Sequence, residues 1–188
     1  DHDFLWRTSK QMPRRGNIGI FNRSYYEEVL VVRVHPEILQ HQRLPELPEN
    51  LDQLWAERYA SINALEKHMV ENGTAILKFW LNVSKEEQRR RFMSRLDEPK
   101  KHWKFSVADV KERNRWDDYM QAYQAMIRAT STPYAPWFAI PADNKPYMRL
   151  TVAKIIRQAL RSLNPHFPAI HAEEKSRFDE MRRILESQ

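Results

Sequence analysis

The stretch Thr74-Ala75-Ile76-Leu77-Lys78-Phe79-Trp80-Leu81-Asn82-Val83-Ser84 decides the fold class. Ala75, Ile76, Leu77, Phe79, Trp80 and Leu81 crowd together without a period of two or of 3.6. A short, nearly continuous apolar run is how a strand covered on both faces of a parallel sheet reads. Asn72-Gly73 in front of it closes a helix. Ser84 behind it caps another, with Glu86 and Glu87 in the first turn, where the helix dipole favours acids. A strand set between two helices is the repeating unit of an α/β fold.

Upstream, Leu51 to Val70 reads as a helix with Leu51, Leu54, Trp55, Ile62, Leu65 and Met69 on one face. Pro36 to Asn50, with three prolines, is a linker. Tyr25 to His35 is ambiguous. Its valines favour a strand, while Ser24 followed by Glu27 has capping-box spacing, and the helix is the reading adopted. Asn17-Ile18-Gly19-Ile20-Phe21 is expected to be a short buried strand running into the polar Asn22-Arg23-Ser24. Asp1 to Lys10 is read as a helix end, followed by a break at Pro13-Arg14-Arg15-Gly16.

Downstream, Ser106 starts a helix whose apolar face runs from Val107 through Tyr119 and Met126 to Ile127. Pro136 to Pro141 is a third strand. Asp143-Asn144 leads into a last helix with Leu150, Val152, Ile155, Ile156, Ala159, Leu160 and Leu163 facing inward. The order predicts one domain over residues 1–188: a parallel sheet flanked by helices, with a peripheral tail from about residue 165. Ligands of such sheets bind outside the C-terminal strand ends. That places the chemistry near Asn22-Arg23-Ser24, Asn82-Val83-Ser84 and Ala142-Asp143-Asn144.

The 188 residues carry 31 Lys+Arg against 25 Asp+Glu, a formal net charge of +6. Cys is absent, which excludes disulfide scaffolds, Cys-ligated metals and a Cys nucleophile. It fits a reducing compartment, and a cytoplasmic protein is expected. No apolar run approaches the roughly 20 residues of a membrane span. Seven basic residues and two acids lie between Arg89 and Lys104, so nearly the whole charge excess sits in one arm. Arg forks grip phosphate bidentately and Lys acts as a movable point charge. A hinged basic arm of about residues 85–110 is therefore expected to close as a lid on a polyanion. Trp103 and Phe105 among the lysines would also suit stacked bases. Against that, no nucleic-acid-binding motif occurs and the charge forms no stripe along the chain.

Several separated segments, in order, resemble the polyphosphate kinase 2 family. They are His2-Asp3-Phe4-Leu5-Trp6-Arg7; Pro13 with Arg15-Gly16; Ile20-Phe21-Asn22-Arg23-Ser24-Tyr25-Tyr26-Glu27; Asp97 through Pro99, Lys101, Trp103-Lys104 and Ser106 to Asp109; and Thr132-Pro133 through Ala135-Pro136-Trp137 and Pro141-Ala142-Asp143 to Lys145. The resemblance runs from about Asp1 to Leu163. It implies a P-loop kinase fold similar to thymidylate kinases, with a mobile basic lid. The implied reaction is phosphoryl transfer between inorganic polyphosphate and AMP or ADP, with ATP among the nucleotides, Mg2+ as cofactor and a homo-oligomer as the assembly.

Residue by residue, the resemblance puts Arg23, Arg91 and Arg95 at the transferring phosphoryl group. Arg7, Ser24, Lys101 and Lys104 would bind substrate or phosphate, with Asp97 a lid acid. Asp143 and Lys145 are candidates for nucleotide contact. Asn22 stands where many members carry a magnesium-binding Asp, and an amide oxygen is the weaker ligand. The glycine-rich G-x-x-x-x-G-K-[ST] loop is absent, and no Gly-Lys pair occurs. In the family that loop precedes the His-Asp-Phe-Leu-Trp-Arg motif. The chain is therefore expected to be the C-terminal part of a longer active protein and to be inactive alone. The alternatives are an ATP-dependent nucleoside monophosphate kinase of the same fold and, from another class, a non-enzymatic polyanion- or RNA-binding module.

Overall fold

The computed structural model describes residues 2–188, and Asp1 lies outside the described residues. The chain divides into two compact units, Asp1–Ala153 and Lys154–Gln188. The first unit holds the sheet and the expected strand-end residues.

Among the described residues two parallel strands make the sheet, β1 (Lys78–Asn82) and β2 (Trp137–Pro141), in register from Lys78 opposite Trp137 to Asn82 opposite Pro141. Parallel pairing requires a long crossover. Here it is α4 (Lys85–Asp97), a 3-10 segment (Pro99–Lys104), α5 (Val107–Arg113) and α6 (Trp116–Thr130). Before β1 come α1 (Trp6–Ser9), α2 (Glu27–Val34), a 3-10 segment (Pro36–His41) and α3 (Leu51–Glu71). After β2 comes α7 (Lys145–Leu163), and the second unit also contains α8 (Ala172–Ser176) and α9 (Phe178–Glu186).

The core sits between α2, α3 and α6. Val29, Val32 and Val34 meet Trp55, Tyr59 and Ile62, with Ala122 and Met126 closing the other side. The valines that favoured a strand on propensity lie in a helix, because α2 buries them on two neighbouring helices. Asn50 caps α3 by accepting from the Asp52 amide at 2.9 Å. Gly73 follows that helix at φ +89°, a left-handed position that suits glycine.

Four expectations change. Residues 17–21 form no strand: Ile18 is 71% and Ile20 89% exposed. A strand needs a ladder partner, and this segment instead folds back on Pro13, so close that a Cβ on Gly19 would lie 3.0 Å from Pro13 Cδ. β1 is covered only at its start, since Lys78 is buried while Leu81 is exposed. The helix expected from Ser106 breaks at Asn114-Arg115, where Asp117 and Asp118 begin a second one and Arg115 pairs with Asp118. Finally, α7 buries none of its described residues, and Leu150, Leu160 and Leu163 stay exposed.

Candidate active site

The C-terminal ends of β1 and β2 form one rim. The Ala142 amide donates to the Asn82 carbonyl at 2.8 Å. The Ser84 amide donates to Asp143 Oδ1 at 2.7 Å, which holds the Asp143 carboxyl below its ordinary range. The Ser84 hydroxyl accepts from the Glu87 amide and starts α4 as expected. Arg91, two turns into α4, reaches back to the rim. It donates to the carbonyls of Ala142 at 2.8 Å and Asp143 at 3.2 Å, and to Glu87 Oε1 at 2.7 Å. Arg91 and Asp143 are thus brought together, with Arg91 bracing the strand ends. The α7 cap is Asn144, whose Oδ1 accepts from the Tyr147 amide, and Lys145 beside it is exposed.

Asn22, Arg23 and Ser24 lie in the turn that leads into α2. Arg23 has φ +69°, a left-handed backbone for a residue with a long side chain. That conformation costs about 1–2 kcal/mol and persists only where the surroundings impose it. Its side chain is 77% exposed and meets Glu27 at 3.5 Å, a long contact in water. Asn22 is exposed. The Ser24 hydroxyl accepts from the Tyr26 amide at 3.4 Å instead of closing a capping box, and α2 starts at Glu27. Arg7 is exposed on α1.

The basic arm is a folded hairpin. Arg95 bridges α4 to α5 through Asp109 at 3.2 Å and to the Lys104 carbonyl at 3.4 Å. Arg113 closes the other end on the Lys85 carbonyl and Gln88. Lys101 binds Glu98 and Ser94, Arg89 binds Glu86, and Arg90 binds Glu87. Seven unpaired cations this close together would repel one another. In the structure acids at helical spacing, or brought in from α5, already pair most of them. Lys104 points over the ring of Trp103, which is exposed, and Asp97 at the end of α4 is also exposed. His35, after α2, bridges Glu37 at 3.1 Å and Glu112 of α5 at 2.9 Å. These carboxylates, Glu112 foremost, raise its pKa.

Sequence reasoning passed over a buried cluster behind the Arg23 turn. Lys78 and Glu66 form an ion pair at 2.6 Å, and the hydroxyls of Tyr25 and Tyr26 both donate to Glu66. The signal was available. Lys78 interrupts an apolar strand, and Glu66 falls four residues after Ile62 on the apolar stripe of α3.

A resident magnesium site is not built from these side chains. Asn22 offers one neutral amide oxygen, and among the described residues no three His, Asp or Glu side chains converge.

An α/β rim with helices starting at two strand ends, beside an arm rich in Arg and Lys, is a surface of the kind that phosphate-handling proteins present. The family model described as polyphosphate kinase 2 matches residues 1–168. The ADP-polyphosphate phosphotransferase of Rhodopseudomonas palustris is 50% identical over 184 residues, covering 98% of this chain and 64% of that protein. The AMP/ADP-polyphosphate phosphotransferase of Meiothermus ruber is 45% identical over 166 residues, covering 88% and 58%. The crystal structure of polyphosphate kinase 2 from Arthrobacter aurescens superposes with a TM-score of 0.83 at 42% identity, over 95% of this chain and 60% of that one. The chain belongs to the polyphosphate kinase 2 family. It spans 58–64% of the length of these relatives.

Proposed function

We propose that the protein transfers phosphoryl groups between inorganic polyphosphate and AMP or ADP, and that this chain supplies the strand-end and lid part of the site. The observation that carries the reading is Arg23. An exposed cation sits on a strained backbone, in the segment that carries the family resemblance, anchored by buried tyrosines. Strain of this kind collects at sites where a side chain must be presented in one geometry.

Transfer of this type is mainly positioning and charge stabilisation. Arg23 offers its guanidinium to the oxygens of the group in flight. Ser24 contributes its hydroxyl at the same turn. Arg95, Lys101 and Lys104 present the arm to the chain of phosphates, where displacement of Glu98 and Asp109 by phosphate oxygens would free the paired cations. Arg91 holds the rim beneath them and lies at the transferring group. Asp143 and Lys145 face the nucleotide, Arg7 the acceptor side, and Asp97 closes the arm. The names of the relatives support the substrate class.

The test is Arg23→Ala in the natural full-length protein, with polyphosphate and either AMP or ADP. The expected result is a fall in kcat/KM of at least about a hundredfold with the thermal midpoint retained, as for loss of a group acting on transition-state charge. Transfer persisting above about a tenth of the wild-type rate would remove Arg23 from the reaction.

A further inference from the structure

Glu66 and Lys78 form a buried ion pair that takes no part in the proposed transfer. Glu66 is 0% and Lys78 6% exposed. Oε1 of Glu66 accepts from Tyr25 at 2.9 Å and from Tyr26 at 2.7 Å, and Oε2 takes the Lys78 ammonium at 2.6 Å. Lys78 also donates to the Thr130 carbonyl at 2.7 Å and to the Tyr26 hydroxyl at 3.0 Å. The cluster joins the start of α2 to α3, β1 and the end of α6.

Burying both charges is expensive, and apolar residues of the same size would often serve stability as well. What the pair holds is specific. Tyr25 and Tyr26 directly follow Arg23-Ser24, and the Ser24 carbonyl and hydroxyl accept from the amides of Glu27 and Tyr26. The left-handed Arg23 needs a fixed frame on its C-terminal side, and its own contact with Glu27 is too long and exposed to provide one. We propose that Glu66, held by Lys78, is the positioning residue for Arg23, fixing both tyrosine hydroxyls and through them the backbone that presents the guanidinium to phosphate. The proposal rests on the reading of Arg23 as a phosphate-binding group. Burial and the Glu66 charge push both tyrosine hydroxyls far up, so they remain donors at any working pH.

The test compares two double variants of the natural full-length protein. Glu66→Gln with Lys78→Met removes both charges but leaves a carbonyl oxygen for the hydroxyls. Glu66→Leu with Lys78→Met removes that acceptor as well. The Gln variant is expected to keep kcat within about threefold of wild type, while the Leu variant loses at least about tenfold in kcat with nucleotide KM little changed. Amide hydrogen exchange at Tyr26 and Glu27, whose amides donate to Ser24, should quicken by at least about tenfold in the Leu variant alone. Equal kcat and equal exchange in the two variants would overturn the proposal. If either fails to fold, Tyr25→Phe decides: faster exchange at Tyr26 and Glu27, whose amides donate to Ser24, supports the clamp, and unchanged exchange overturns it. A wild-type protein that forms no nucleotide from polyphosphate defeats the proposed activity, whereas the exchange comparison still decides whether Glu66 holds the turn.

Discussion

Arg23 is a residue where stability and the proposed chemistry oppose each other. Glycine adopts φ +69° without a Cβ penalty, so Arg23→Gly should stabilise the fold by about 1 kcal/mol, read as a higher urea midpoint at unchanged slope. The same variant should lose phosphoryl transfer. A variant that is both less stable and fully active would contradict this picture of the turn. Lys78 behaves in the opposite way. Lys78→Met alone leaves the Glu66 carboxylate buried with hydroxyl donors only, and should destabilise by about 3–5 kcal/mol. Denaturant titration beside the Glu66→Gln, Lys78→Met pair, which should recover most of the loss, checks it. The candidacy of Arg23 was legible because its neighbours carry a family motif. Its positive φ was not, since nothing local distinguishes a left-handed Arg from an extended one. Glu66 was missed because a helical charge is ordinarily solvated, and only the count of four from Ile62 shows that it faces inward.

At the level of elements, α4 and α5 are held as a hairpin whose far end is fastened to α2 by His35. The groups around that imidazole are Glu37 from the 3-10 segment, Glu112 from α5, Tyr119 from α6 and Arg115 close to the two acids. The folded-state pKa of His35 is raised, chiefly by the Glu112 hydrogen bond. Its stabilising contribution is therefore complete below the unfolded value of about 6.5 and is lost as pH rises through the folded value. The thermal midpoint of the wild type should fall across that window, and His35→Gln should flatten the fall. A parallel decline in both proteins would dismiss the link. Ser84→Ala removes the α4 cap and should cost about 1 kcal/mol by chemical denaturation. The Ser84 cap, dipole-placed acids and the ends of α3 were readable because their rules are local, whereas the capping box expected at Ser24 does not form. The strand expected at residues 17–21 was not, because a strand exists only with a partner and its apolar letters say nothing of where that partner lies.

For the whole molecule, the +6 charge proves less free than the sequence suggested, since Glu86, Glu87, Glu98 and Asp109 pair the cations of the arm. On the proposed function polyphosphate would compete with these acids, and because its phosphates release counterions on binding, its apparent affinity should fall with salt. Replacing Lys101 and Lys104 by Ala should raise the apparent KM for polyphosphate and lower the log–log salt slope by about one to two. Titrations at several ionic strengths read both, and an unchanged slope would remove the two lysines from the contact. The α/β architecture and both observed strands could be foreseen from the order of apolar runs. The exposed face of α7 could not, because periodicity marks a face as apolar without showing what covers it. The parallel register has a consequence in time. Lys78 pairs with Trp137, so 59 residues separate the partners. At cellular rates of synthesis β1 leaves the ribosome roughly 3–12 s before its neighbour is made. During that interval Phe79, Trp80 and Leu81 lack the strand that they pair with here, and the nascent chain depends on segments already folded, or on a chaperone, to keep that edge from other chains.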